Sequence, residues 1–308
     1  MSMIECLSLA TSRCVKIPSQ TLICLGNFDG VHYAHRQLIR LAADTRTREF
    51  PNAALTVFCF RTPSSDVLFP HQAPTHLSTL EQKLDYFREE GVEYVFLADF
   101  PKLRDLSREA FAQTVLKEVC RCVCAVCGFN YRFGKMGAGT ATDLSDLLGA
   151  PVKIQEEICL HGVTVSSTRI RRLLSEGNVK EAACLLTRPY GFRSKVVHGK
   201  ALGQTWKIPT MNQNLPRNLL VPRLGVYVTE CEIDGKKVRG VSNVGLHPTV
   251  DRESNVNCET FLLDFSGDLY GKEVFVEFLE FLRPEKKFET VALLREQIAC
   301  DIEAAKRY

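Results

Sequence analysis

The sequence has no apolar run approaching the roughly 20 residues that a helix needs to span a bilayer, so a membrane protein is not expected. Met1 to Pro18 hold no apolar segment of signal-peptide length between a basic start and a small-residue cleavage site, and export is not expected either. Nor is one charge in excess: 39 Lys and Arg against 36 Asp and Glu leave a formal +3. That balance argues against a broad nucleic-acid footprint, while local basic clusters can still hold small anions such as phosphates. Internal repeats and low-complexity segments are missing as well. What is there is 308 residues, 45% apolar and 24% charged, a composition suited to one or two globular domains. A cytoplasmic enzyme acting on small anionic ligands, with no nucleic acid or membrane as partner, is the expectation.

Thirteen cysteines without an export signal point to reduced thiols rather than a disulfide framework. The densest run, Cys120, Cys122, Cys124 and Cys127, invites a zinc hypothesis. It lacks a second well-spaced ligand pair and reads better as a buried strand of small apolar residues.

The first half alternates strand-like and helix-like stretches. Thr21 to Leu25, Ala53 to Phe60, Tyr94 to Ala98 and the cysteine run read as strands. Ala34 to Asp44, Leu80 to Glu90 and Ser107 to Lys117 read as helices, with Ser107 as N-cap. Such alternation predicts a parallel sheet covered by helices, with ligands beyond the C-terminal strand ends, where Gly26 to His35 and Gly128 to Gly139 would fall. Val163 to Val165 leads into a helix starting at Ser166, Ser167, Thr168, Arg169 and Arg171, a helix N-terminus suited to an anion. Gly177 should end that helix, and Val179 to Leu186 forms another.

Thr187 to Gly191 is the expected joint, dividing the chain into residues 1–186 and 187–308. Beyond it the period shifts towards two. Val226 to Ile233 and Lys237 to Ser242 flank the hairpin dipeptide Asp234-Gly235, and Phe261 to Phe265 and Val274 to Phe281 are further strands. An antiparallel barrel or sandwich is predicted, with Phe288, Val291, Leu294, Ile298 and Ile302 as a helical stripe packing on it.

Two segments carry chemistry. In the first, His32 and His35 at a helix start can both face a ligand held on backbone N–H groups, and imidazoles beside phosphate can stabilise charge on a reacting phosphoryl group. In the second, Gly199 and Gly203 bracket a loop that could approach phosphates. Thr210 and Asn212 then offer closely spaced hard oxygen donors of the kind Mg²⁺ accepts, and Glu259 could take a hydroxyl proton during phosphoryl transfer. A simple turn, a polar strand entry and a solvated carboxylate are the bland alternatives.

The segment Gly26 to His35, Gly128 to Gly134 and Ser166 to Arg171 resembles the FMN adenylyltransferase half of bacterial bifunctional riboflavin kinase/FAD synthetases. Gly225-Val226-Tyr227, Gly240 to Gly245, Pro248-Thr249, Asp268 to Gly271 and Arg283 to Phe288 resemble the riboflavin kinase half, in the family's order. The resemblance implies an α/β chain: a Rossmann-like nucleotidylyltransferase domain, then a six-stranded Greek-key barrel with a terminal helix. It implies that Gly26, Phe28, Asp29, His32, His35, Asn130, Ser167, Thr168 and Arg171 surround ATP and FMN. In the barrel, Thr210 and Asn212 would hold Mg²⁺ on ATP, Glu259 would be the base, and Gly199, Gly203, Asn243 and Arg283 would border the substrates. Riboflavin would become FMN, and FMN would become FAD. Ala34 replaces the motif glycine, and Arg61 to Ser64, Gln204, Lys207 and Phe261 also depart from the family pattern. A kinase with an impaired adenylyltransferase domain, or a flavin-binding regulator, therefore stays open at the level of sequence.

Overall fold

The computed structural model describes residues 5–8, 17–69, 75–198, 210–247 and 255–308. Contacts divide the chain into two compact units, Met1–Thr75 with Leu80–Ser166, and His76–Thr79 with Ser167–Tyr308.

The first unit contains β1 (Glu5–Ser8), β2 (Thr21–Leu25), α1 (Tyr33–Glu49), β3 (Ala54–Phe60), α2 (Ser64–Leu68), α3 (Leu80–Glu89) and β4 (Tyr94–Ala98). It continues through α4 (Phe100–Leu103), α5 (Arg108–Ala110), a π-helix (Phe111–Val119), β5 (Cys122–Gly128), β6 (Arg132–Phe133), β7 (Gly139–Thr140), α6 (Asp143–Leu148), β8 (Val152–Gln155), β9 (Cys159–Leu160) and β10 (Val163–Thr164). Ser107 caps α5 as expected, its hydroxyl accepting from the Ala110 amide at 3.1 Å. Six strands form a parallel sheet in the order β1-β4-β3-β2-β5-β8. Alternate residues of β2 and β3 serve its two faces. Ile23, Leu25 and Phe58 meet the π-helix and α6, whereas Leu22, Cys24 and Val57 meet α1 and α3. The strand order reverses between β2 and β5, so the loops leaving those two strands flank the crevice where such sheets bind ligands.

The cysteines of β5 belong to this core. Burial pushes the Cys122 and Cys127 thiols up to about 12 and that of Cys124 to about 11, which removes them as nucleophiles at neutral pH. All cysteines among the described residues for which pairing is resolved are free thiols.

The second unit contains α7 (Ser167–Glu176), α8 (Val179–Leu186), β11 (Tyr190–Val197), β12 (Thr210–Asn214), β13 (Gly225–Ile233), β14 (Lys236–His247), β15 (Asn255–Leu262), β16 (Glu273–Arg283) and α9 (Val291–Arg307). Its strands close a barrel in the order β11-β12-β15-β14-β13-β16, antiparallel throughout. Asp234 and Gly235 turn the β13–β14 hairpin at φ 49° and 75°, the left-handed pair that a two-residue connection demands. Tyr190 and Gly191, expected in the joint, lie instead in β11. The Val276 carbonyl approaches Gly191 where a Cβ would stand, so this glycine permits close strand pairing rather than a turn. The expected strand Phe261 to Phe265 is displaced: β15 runs from Asn255, because pairing with β14 extends through Asn and Glu residues of little strand propensity, and ends at Leu262, where a turn with Asp264 at φ 52° follows.

Buried hydroxyls of three adjacent strands form a chain inside the barrel, Thr229 to Ser242 and Ser242 to Thr260, each at 2.7 Å. The opposite face of β13 and β14 receives α9, through Val226, Val228, Val241, Ile302 and Ala305. The predicted helical stripe is thus used at its C-terminal end, while Val291 remains 51% exposed. No helix among the described residues is long and apolar enough to cross a membrane.

Candidate active sites

The chain leaves β2 through Gly26 and makes a tight turn over Asp29–Val31 before α1. That turn holds three residues at positive φ: Phe28 at 51°, Gly30 at 75° and Val31 at 37°. Only the glycine adopts this region without cost, and the β-branched Val31 is strained there. Contacts from α1 and α3 help to hold the loop. The Phe28 ring is fully buried, edge-on to Phe87 at 5.3 Å and 5.1 Å from His35, so it supports the imidazole and does not present its own face to solvent. Lys83 on α3, itself 5% exposed, donates from Nζ to the Asn27 carbonyl at 3.1 Å.

His32 precedes α1 with extended backbone, and His35 lies in its first turn. Their rings stack, with centroids 3.7 Å apart and planes within 12°. The structure therefore brings the two predicted imidazoles together. Ala34 lies within the helix, where a methyl group is conformationally neutral, and its carbonyl accepts from Gln155 Nε2 at 3.0 Å. Asn130 is exposed just beyond β5, in a turn closed by the Tyr131 amide on the Gly128 carbonyl at 3.0 Å. Nearby Gly134, at φ 72°, leaves no room for a side chain, since a Cβ would come within 2.8 Å of the Arg108 backbone.

Ser167, Thr168 and Arg171 occupy the first turns of α7, which packs in the second compact unit, and Arg169 ties that helix to α8 through Glu181 at 3.1 Å. His32, His35 and Asn130 belong to the first unit.

In the barrel, strand register assembles a polar row. Asn212 of β12 and Asn243 of β14 stand opposite Glu259 of β15 from its two sides. Thr210 shares the Asn212 face by strand alternation. Asn257 joins them, donating from Nδ2 to Asn212 Oδ1 at 2.9 Å and to Glu259 Oε1 at 3.5 Å. Asn243 donates to Glu285 Oε1 at 3.2 Å, and the Glu285 carboxylate fills the space that a Cβ on Gly245 would need. On the reverse face Cys258 is buried, which pushes its thiol up to about 11. Gly199 and Gly203 lie outside the described residues, as do Gln204, Lys207 and Pro248-Thr249.

Arg283 lies at the end of β16, where its guanidinium is engaged by Asp301 of α9. Thr290 caps that helix, accepting from the Leu293 amide at 3.3 Å. The described residues hold no cluster of three or more His, Cys, Asp or Glu placed for a metal. A cation in the row would therefore rest on hydroxyl and amide oxygens with phosphate and water, the donor set of Mg²⁺. Sequence reading did not find Asn257, Lys83, Glu285 or Asp301. For Asn257 a signal existed, its position two residues before Glu259, and it became usable only with the full extent of β15.

A family model described as FAD synthetase matches residues 14–169, and one described as riboflavin kinase matches residues 186–308. Curated relatives are similar over nearly the whole chain. The bifunctional riboflavin kinase/FMN adenylyltransferase of Bacillus subtilis is 32% identical, covering 94% of this chain and 93% of its own length. The protein of that name from Escherichia coli K12 is 33% identical, with 93% and 92% covered. That from Listeria monocytogenes is 31% identical, with 91% and 90% covered. Among solved structures, one described as a macrolide-efflux protein from Streptococcus pneumoniae superposes with a TM-score of 0.90 at 32% identity, covering 98% of this chain and 99% of that one.

Proposed function

The chain belongs to the bifunctional riboflavin kinase/FMN adenylyltransferase family, and on that premise we propose how its residues divide the two reactions. The enzyme phosphorylates riboflavin with ATP and adenylylates the FMN so formed, giving FAD and pyrophosphate. We assign the second reaction to residues 1–186 and the first to residues 187–308.

The observation that carries the kinase assignment is the row Asn212–Glu259–Asn243 across three paired strands, with Thr210 on the same face. In this reading Glu259 accepts the proton of the ribityl 5′ hydroxyl as its oxygen bonds to the γ-phosphorus and the bond to the ADP oxygen breaks. Thr210 and Asn212 would hold Mg²⁺, which when bound neutralises charge on the ATP phosphates. Asn243, with Gly199 and Gly203, contributes to substrate binding, and Arg283 borders the flavin while anchored by Asp301.

For adenylylation, an FMN phosphate oxygen bonds to the α-phosphorus of ATP and the bond to pyrophosphate breaks. No protein nucleophile is needed. His32 and His35 stabilise the charge developing on the phosphoryl oxygens and Asn130 positions the nucleotide, while the family resemblance assigns Ser167, Thr168 and Arg171 to the same reaction. Gly26 and Asp29 shape the loop, and Phe28 contributes by holding His35. The reading places the enzyme in the cytoplasm, supported by its free thiols.

Incubating purified protein with riboflavin, ATP and Mg²⁺ and separating the flavins tests both assignments. FMN and FAD are expected. FMN without FAD, even with FMN supplied, leaves the kinase alone, and no product removes both.

A further inference from the structure

We propose that Asn257 is a positioning residue of the phosphoryl-transfer site: its side-chain amide holds Asn212 in the rotamer that presents oxygen, and not nitrogen, to a divalent cation. The inference rests on the kinase reading above and extends it to a residue outside the assigned site.

An asparagine side chain has two nearly equivalent orientations about its last torsion, related by exchange of oxygen and nitrogen. Only one of them can ligate Mg²⁺, because the NH₂ group has no lone pair for a hard cation. Something must break the degeneracy at Asn212, which is 7% exposed and cannot rely on water to do so. Two contacts act in the same sense. Asn212 Nδ2 points back to the Thr210 carbonyl at 3.4 Å, a long and weak bond. Asn257 Nδ2 donates to Asn212 Oδ1 at 2.9 Å, and this is the strong one. A carbonyl oxygen has two lone pairs, so accepting from Asn257 leaves one for a cation.

The orientation of Asn257 follows from the same row. Its amide also leans on Glu259 Oε1 at 3.5 Å. Were it reversed, its carbonyl would face two acceptors, the Asn212 oxygen and the Glu259 carboxylate, and both contacts would become repulsive. It keeps the attractive orientation although its own Oδ1 is buried with no hydrogen-bond partner among the described residues. Packing alone would not select that arrangement, since the cost falls on Asn257 and the benefit on the row. One amide thus orders the cation ligand and touches the base, linking the two halves of the phosphoryl-transfer machinery through β15.

The test compares wild type, Asn257→Leu, Asn212→Ala and the double variant, all in the full chain. Mn²⁺ binding in the presence of ADP, read from the free-Mn²⁺ electron paramagnetic resonance signal, reports the site without turnover. Asn257→Leu should weaken Mn²⁺ binding about 10- to 100-fold, the usual effect of losing a partner that orients a metal ligand. Asn257→Ser, too short to span the contact, should act in the same direction. On the Asn212→Ala background the Asn257 substitution should add little, because the group it orients is gone. Adenylylation of supplied FMN should be retained in every variant, and an unchanged urea unfolding transition of the barrel checks its fold. Unchanged Mn²⁺ affinity in Asn257→Leu, or an equal loss with and without Asn212, overturns the inference. A wild-type protein that neither binds Mn²⁺ with ADP nor forms FMN overturns the kinase assignment itself, and this proposal with it.

Discussion

Arg283 and Asp301 are joined by a forked ion pair, with Nη2 to Oδ2 at 2.8 Å and Nε to each carboxylate oxygen at 3.1 Å. The Asp301 side chain is 6% exposed and that of Arg283 19%, so water screens the pair poorly. Gln297 adds a further bond to Asp301 at 3.1 Å. The pair fastens α9 to the end of β16, beside the apolar contact that Leu282 makes with the Ile302 and Ala305 cluster. Removing one partner strands the other charge, so Asp301→Ala should cost about 3 kcal/mol, the lower end for such pairs, in urea unfolding of the barrel. A loss within ordinary surface variation would show that the pair is solvated in solution.

Glu259→Gln should lower FMN formation by roughly 10²- to 10⁴-fold, the contribution of a general base, while adenylylation of supplied FMN continues. Quantified separately, the two flavin products decide the matter. Equal loss of both would refute the division of labour.

Lys83→Met tests the other site. The substitution keeps the length of the side chain and removes its bond to Asn27, leaving a loop with strain of about 1–3 kcal/mol at each of Phe28 and Val31 less restrained. Slower FAD formation from FMN is expected, with riboflavin phosphorylation unchanged. Identical FAD kinetics would mean that the loop holds its shape without the lysine.

Ala34→Gly should not raise adenylylation. Position 34 is helical, so glycine there gains nothing conformationally and costs about 0.5–1 kcal/mol in helix stability. A clear rate increase would show instead that the methyl crowds a bound nucleotide.

The barrel surface gives a pH-dependent case. Burial raises the Glu277 carboxyl above its ordinary value, against the opposing pull of Lys237. An acid with a raised pKa in the folded state loses protons more readily when unfolded, so its ionisation destabilises the fold as pH rises through the window from its unfolded to its folded pKa. Glu277→Gln should therefore melt at higher temperature than wild type at neutral pH, with the difference vanishing below the ordinary glutamate range. A lower melting temperature at pH 7 would mean that the Lys237 contact, at 3.8 Å, outweighs burial.

Much of this was legible in the chain because local chemistry sufficed. The His32–His35 spacing, the Asp234-Gly235 turn and the apolar runs of β2 and β4 each depend on neighbours a few residues away. Glu259 was recognisable as a carboxylate beside an apolar run, though β15 places it mid-strand, and Thr210 and Asn212 as paired oxygen donors. Their order along the chain, with the family resemblance, was enough to name two reactions.

Which residues share a face was not legible, because it depends on pairing between strands far apart in sequence. Asn255 to Glu259 does alternate polar and apolar residues, but its Asn and Glu carry little strand propensity, and only the ladders with β12 and β14 bring Asn212, Asn243, Asn257 and Glu259 into one row. Lys83 and Asp301 likewise sit in ordinary amphipathic helices, where a charged residue reads as solvent-facing until packing buries it. The sequence by itself determined the elements, the reactive groups and the family. The tertiary structure decided which polar groups became mutual supports, because hydrogen bonds of about 3 Å between distant segments exist only once sheet register and helix docking have set both ends.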